Sequence, residues 1–148
     1  MAIKRFATPI LILACSACAG KSPSVAPLPS DPVSAVQQFL AGVKANNLAD
    51  MGDVWGSDRG PANAWMEPNV LHQRLAVMQR VLTYETYSIG PEGVRPGGSA
   101  DVRIVRVQLT RNGCTPVVPF TTRRYGNGWL VSAIDLDAAG NPERSCGS

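Results

Sequence analysis

The hydrophobic pattern of this chain changes period once, at Thr83, and that change dictates the class of fold. Before it, apolar residues recur at helical spacing. Val33, Val36, Phe39, Leu40 and Val43 form one stripe. Leu48, Met51 and Trp55 form a second, and Leu71, Leu75, Met78 and Leu82 a third. After Thr83 the alternation is twofold, over 83–89, 100–111, 115–124 and 129–136. Helices followed by a run of strands predict an α+β domain. Its N-terminal helices pack on one face of a curved antiparallel sheet of about four strands.

Local signals set the expected boundaries. Asp31 suits a helix cap and Pro32 the first helical position. Asn46-Asn47 marks a tight turn, Gly60-Pro61 a loop over 56–63, and Asn69 the cap of the third helix. Gly90, Pro91, Gly93, Pro96, Gly97 and Gly98 make 90–99 a loop. In the strongest strand the alternation slips between Ile104 and Val105, which points to a bulge or to a strand covered on both faces. Asn112-Gly113 is a strong two-residue hairpin signal. Pro116 and Pro119 confine the returning strand to an edge or a bulge. Gly126 to Gly128 turns the chain into the last strand, and 137–148 reads as a polar tail.

The N-terminus carries Lys4 and Arg5, then a mostly apolar run over 6–17. That run is too short for a bilayer, which needs about 20 helical residues, and Pro9 interrupts it. Small residues and cysteines follow, Ala14-Cys15-Ser16-Ala17-Cys18-Ala19-Gly20. The segment is that of a secretory signal and resembles the bacterial lipoprotein type, in which a cysteine becomes the lipidated first residue. Cys15 has Ile12 three before it but a bulky Leu13 between; Cys18 has Ser16 and Ala17 before it but Cys15 at the aliphatic position. Cleavage before Cys18 leaves an even pair of further cysteines, so Cys18 is the expected site and Cys15 the alternative. The organisation that follows is a signal over 1–17, a Pro/Ser-rich tether over 18–31 and one domain over 32–148. The implied address is the bacterial cell envelope, periplasm-facing or at the outer membrane, with the membrane a partner through the N-terminal lipid.

Without Lys4 and Arg5 the chain holds twelve basic residues against eleven acidic ones. Near-neutrality and export both argue against nucleic acid as partner. Cys114 and Cys146 meet an oxidising compartment and are expected to form a disulfide. Without a nearby histidine they make a poor metal site. No cofactor fingerprint appears: Gly97-Gly98 lacks the strand-to-helix setting of a phosphate loop.

The stretch from Val33 to Met51, with Phe39-Leu40, then Asn46-Asn47-Leu48, resembles the opening helix and turn of the nuclear transport factor 2-like superfamily. The stretch from Thr121 to Ile134, with Gly126-Asn127-Gly128-Trp129, resembles its final hairpin. The resemblance implies a bent sheet wrapped around helices as a cone with a pocket, and dimerisation through the sheet. Some members are enzymes, such as ketosteroid isomerase, and many are non-catalytic binding or assembly modules, so fold alone does not give function.

A pocket enzyme of the isomerase or lyase type needs an acidic base in an apolar site. Asp101, Asp135, Glu85, Tyr84 and Tyr87 are the available groups, and none stands in a motif. Asp101 and Asp135 read as solvated strand ends, and His72, the single histidine, as an exposed or capping residue. Trp55, Tyr84 and Trp129 are the expected lining of a pocket; as large aromatic residues, the tryptophans are first of all core candidates. Arg103, Arg106, Arg111, Arg123 and Arg124 cluster on neighbouring strands. Arg103, Arg106 and Arg123 are the candidate surface for an anionic partner, set against the plain role of guarding a sheet edge by charge. The expected function is a non-enzymatic envelope lipoprotein that binds an envelope protein or a small apolar molecule through the concave face of its sheet. The alternative is the pocket enzyme.

Overall fold

The computed structural model describes residues 26–147. Helix α1 (Pro32–Ala45) starts as expected: the Asp31 carboxylate accepts the Ser34 N–H at 2.8 Å and its hydroxyl at 2.6 Å. These two bonds hold the Asp31 carboxyl below its ordinary value. The helix ends where Asn46 turns left-handed, with φ of 53°, a conformation that asparagine tolerates better than most residues. Helix α2 (Leu48–Val54) folds straight back, because a Cβ on Gly42 would stand 2.8 Å from the Met51 side chain.

A small hairpin follows, β1 (Gly56–Ser57) and β2 (Gly60–Pro61), then a 3-10 turn over Ala62–Ala64. Helix α3 (Pro68–Val81) is capped by Glu67, not by Asn69 as expected. The Glu67 carboxylate accepts the Val70 N–H at 2.9 Å, and Asn69 donates its amide to that carboxylate at 3.1 Å. Pro68 decides this, since its fixed φ suits the first helical position and makes the preceding residue the cap.

Four strands make one antiparallel sheet in the order β3 (Thr86–Gly93), β4 (Val102–Thr110), β5 (Val117–Tyr125), β6 (Gly128–Ile134). Helix α1 touches all four strands; α2 packs on α1, and α3 on α2. The α+β architecture read from the sequence is therefore present. The core lies between α1 and the sheet. Val36, Phe39, Leu40 and Val43 face Val105, Val107, Leu109, Val118, Phe120 and Val131, all essentially without solvent contact. Phe39 meets Phe120 edge-on at 6.3 Å and Trp55 at 6.0 Å. Burying each such ring contributes about 2–3 kcal/mol.

Three expectations about the strands are corrected. Strand β3 runs on to Gly93, through residues read as loop. The bulge lies in β3 between Ile89 and Glu92, opposite Arg106, and not in β4, whose register with β5 is unbroken from Val102 to Gln108. Pro91 supplies the reason: it has no N–H for the ladder, and an extra residue accommodates it. Strand β5 is interior rather than an edge. Its Pro119 carbonyl accepts the Asp135 N–H at 3.1 Å, and the register shift falls at Thr121/Thr122.

The two turns appear as read. Asn112 and Gly113 both take positive φ, and Arg111 and Cys114 exchange backbone hydrogen bonds across them. The polar tail holds a further helix, α4 (Leu136–Ala139), capped by Asp135. Beyond it the Cys114–Cys146 disulfide ties the chain back to the β4–β5 hairpin, beside a bond from Cys146 N–H to the Asn112 carbonyl at 3.1 Å. Of the tether, 26–31 is described. Pro29 is buried there, and its carbonyl accepts the Trp129 N–H at 2.9 Å. The signal segment, with Cys15 and Cys18, lies outside the described residues.

Candidate functional site

Helices α2 and α3 and the 3-10 turn between them frame an apolar cleft. Asn47 caps α2 through the Ala49 and Asp50 N–H groups, and Glu67 caps α3. Asn63 of the 3-10 turn donates to Asp53 of α2 at 3.2 Å. Gly52 lets the two helices approach, since a Cβ there would stand 3.4 Å from Leu75. The resulting cleft has a volume of about 290 Å³, with walls from Leu48, Met66, Leu71 and Leu75 and a rim from Asn63 and His72. Such a site holds an apolar group and orients it by a few polar contacts. Backbone N–H groups of Asn69 and Val70 hold the Glu67 carboxyl below its ordinary value, so a negative charge stands at the head of α3.

The expected pocket trio has separate surroundings. Tyr84 is buried. Its hydroxyl donates to the Leu40 carbonyl at 2.9 Å, and its ring meets Tyr87 at 5.3 Å. Burial, helped by Tyr87, pushes its phenol up. Trp129 is buried beneath the Arg124 guanidinium, 4.8 Å from the ring centroid, and Trp55 packs on Phe39. The clefts described here are lined by other residues.

Each candidate acid has a local partner. Asp101 pairs with Arg124 at 3.1 Å. Asp135 accepts the Ala138 N–H at 3.0 Å, and Glu85 accepts the Asn112 N–H at 2.9 Å. His72 is exposed on the cleft rim.

The sheet register separates the candidate anion surface. Arg103 stands opposite buried Thr122, on the inner face, where it pairs with Glu92 at 3.0 Å. Arg106 stands opposite Pro119 and Arg123 opposite Val102, on the outer face. Opposed residues share a face and neighbours alternate, so Arg106 and Arg123 belong together and Arg103 does not.

Arg111 is the residue whose role the sequence reading missed. It is 4% exposed, and its guanidinium donates to four backbone carbonyls. These are Val81, Thr83 at 3.0 Å, Ala139 at 2.6 Å and Gly140 at 3.5 Å. The signal was available: Arg111 continues the inward series Val105, Val107, Leu109. Beside it, Gly113, Thr115, Asn141 and Arg144 line a polar cleft of about 490 Å³ next to the disulfide.

Among the described residues no helix is long and apolar enough to cross a membrane, and no group of three or more His, Cys, Asp or Glu side chains could hold a metal ion. No family model, curated protein or solved structure matches this chain.

Proposed function

We propose that this protein is a lipid-anchored component of the bacterial cell envelope, whose nuclear transport factor 2-like domain is a non-catalytic binding module. One observation carries the non-catalytic reading: the groups a pocket enzyme was expected to draw on, Asp101, Asp135, Glu85 and the Tyr84 hydroxyl, are each engaged by a local partner rather than set free in an apolar pocket. The ligand is an apolar group, a small molecule or a partner's side chain, held in the cleft between α2 and α3. This replaces the concave face of the sheet as the binding place, because Phe39 and Phe120 fill the space between α1 and the sheet.

Ala49 is exposed at the cleft, and Ala49→Phe fills its mouth without touching the core. Binding of a fluorescent fatty-acid analogue is expected to fall at least several-fold with the melting temperature unchanged. Undiminished binding refutes the cleft as the site. Mass spectrometry of the mature N-terminus tests the anchor: a diacylglyceryl cysteine at Cys18 is expected, and an unmodified N-terminus refutes it.

A further inference from the structure

We infer that the end of the domain formed by the β1–β2 hairpin and the β5–β6 turn is a docking surface for an anionic lipid bilayer. The inference rests on the lipid-anchor reading and adds which face meets the membrane.

The chain enters the fold at this end. Pro27 and Leu28 share a cleft of about 430 Å³ with Tyr125, Gly126, Asn127 and Gly128. Two contacts fix the entry point. Trp129 N–H donates to the Pro29 carbonyl at 2.9 Å. A Cβ on Gly128 would stand 2.3 Å from Leu28 Cβ, so glycine is needed for the chain to pass. Eight residue steps separate Cys18 from Ala26. Even fully extended they span at most about 28 Å, whereas a domain of this size is about 35 Å across. The opposite end of the domain is therefore out of reach of the surface that holds the acyl chains, and this end is within it.

Its chemistry fits that surface. Tyr125 is 39% exposed at the tip, with its ring against Gly60, where a Cβ would stand 2.8 Å from it. Trp65 donates its indole N–H to the Gly60 carbonyl at 3.1 Å, and the Arg59 guanidinium lies 4.4 Å over the Trp65 ring. Arg124 lies over Trp129 in the same way. Stacked on its ring, the Arg59 guanidinium keeps its in-plane N–H groups for phosphate oxygens, whereas Arg124 already gives its Nε–H to Asp101 at 3.1 Å. Aromatic side chains with a polar tip settle at the water–lipid boundary. At this end Arg59 and Arg123 stand in no ion pair among the described residues, beside Asp58 and the Arg124–Asp101 pair. Attraction to anionic headgroups acts within about one Debye length, so it operates only on a face already held close.

The test uses the mature full-length protein, carried by its own anchor in vesicles of phosphatidylcholine or in vesicles rich in phosphatidylglycerol. Intact mass first reads the acyl chains, and amide hydrogen exchange then reads 57–61 and 123–128. Exchange there is expected to be several-fold slower on phosphatidylglycerol. The slowing is expected to vanish in high salt and in the Arg59→Ser, Tyr125→Ser double variant, whose melting temperature stays that of the parent. If acyl mass is present but exchange at this end is unchanged, docking is overturned and anchoring stands. The same holds if slowing is confined to 68–81, where Val70 and Val77 are exposed beside Arg74. A chain without acyl mass overturns the anchor reading, and this orientation with it.

Discussion

Arg111 donates its Nη2 to the carbonyl of Ala139 at 2.6 Å, joining the end of β4 to the end of α4. Its Nη1 meanwhile serves Val81 and Thr83 at the end of α3. One buried guanidinium thus satisfies carbonyls that two helix ends leave without partners, and the partial negative charge at the end of α3 favours the cation. Burial pushes its pKa down, yet a guanidinium keeps its proton in proteins.

Arg111→Met is expected to destabilise the domain by about 3 kcal/mol, because buried carbonyls are then left unpaired. Arg111→Lys is expected to recover only part of this, since an ammonium cannot reach both helix ends with a planar fork of donors. Urea denaturation of the three proteins checks the order.

The Cys114–Cys146 bridge closes a loop with a sequence separation of 32. On the chain-entropy model its loss costs about 3.5 kcal/mol. Cys146→Ser is expected to lower the melting temperature accordingly. It is also expected to speed exchange over 139–147, where the tail carries two of the carbonyls that Arg111 uses. Unchanged exchange there would show that the tail holds its place without the bridge.

Gly128→Ala is expected to displace the chain at Leu28 and to cost about 1–3 kcal/mol, the usual range for overpacking. Limited proteolysis is the informative readout. Cleavage within 26–30 should accelerate in the variant while 32–140 stays resistant.

Asp31 gives a pH dependence of known sign. Its folded-state pKa is depressed by the bonds from Ser34. The stability it contributes is therefore present above the unfolded value of about 3.9 and is lost as pH falls through the lower folded value. Asp31→Ala is expected to cost about 1 kcal/mol at neutral pH, as loss of a helix cap does. That difference should shrink below pH of about 4 in parallel acid-unfolding curves.

The sequence by itself determined the three main helices and the four strands of the large sheet, though not the β1–β2 hairpin, α4 or the full length of β3. Periods of 3.6 and 2 placed Phe39, Leu40, Leu75, Val107 and Leu109 inside, and Asp31-Pro32 and Asn112-Gly113 fixed local geometry, since capping and two-residue turns depend on residues only a few positions apart. The disulfide was legible for a similar reason, as two cysteines remained to pair.

Only the tertiary structure decided how those elements share partners. Pro91 moved the bulge to β3 because a missing N–H matters only once a neighbouring strand is present. Pro119 was tolerated in an interior strand because it lies just beyond the β5–β6 ladder, its carbonyl taken by Asp135 past the end of β6. Arg103 parted from Arg106 through strand register, and Tyr84 became a core residue through a carbonyl 44 positions away. The apolar cleft needs α2 and α3 side by side, and Arg111 needs two helix ends brought together. Contacts of that kind join residues far apart in the chain, and no local spacing encodes them.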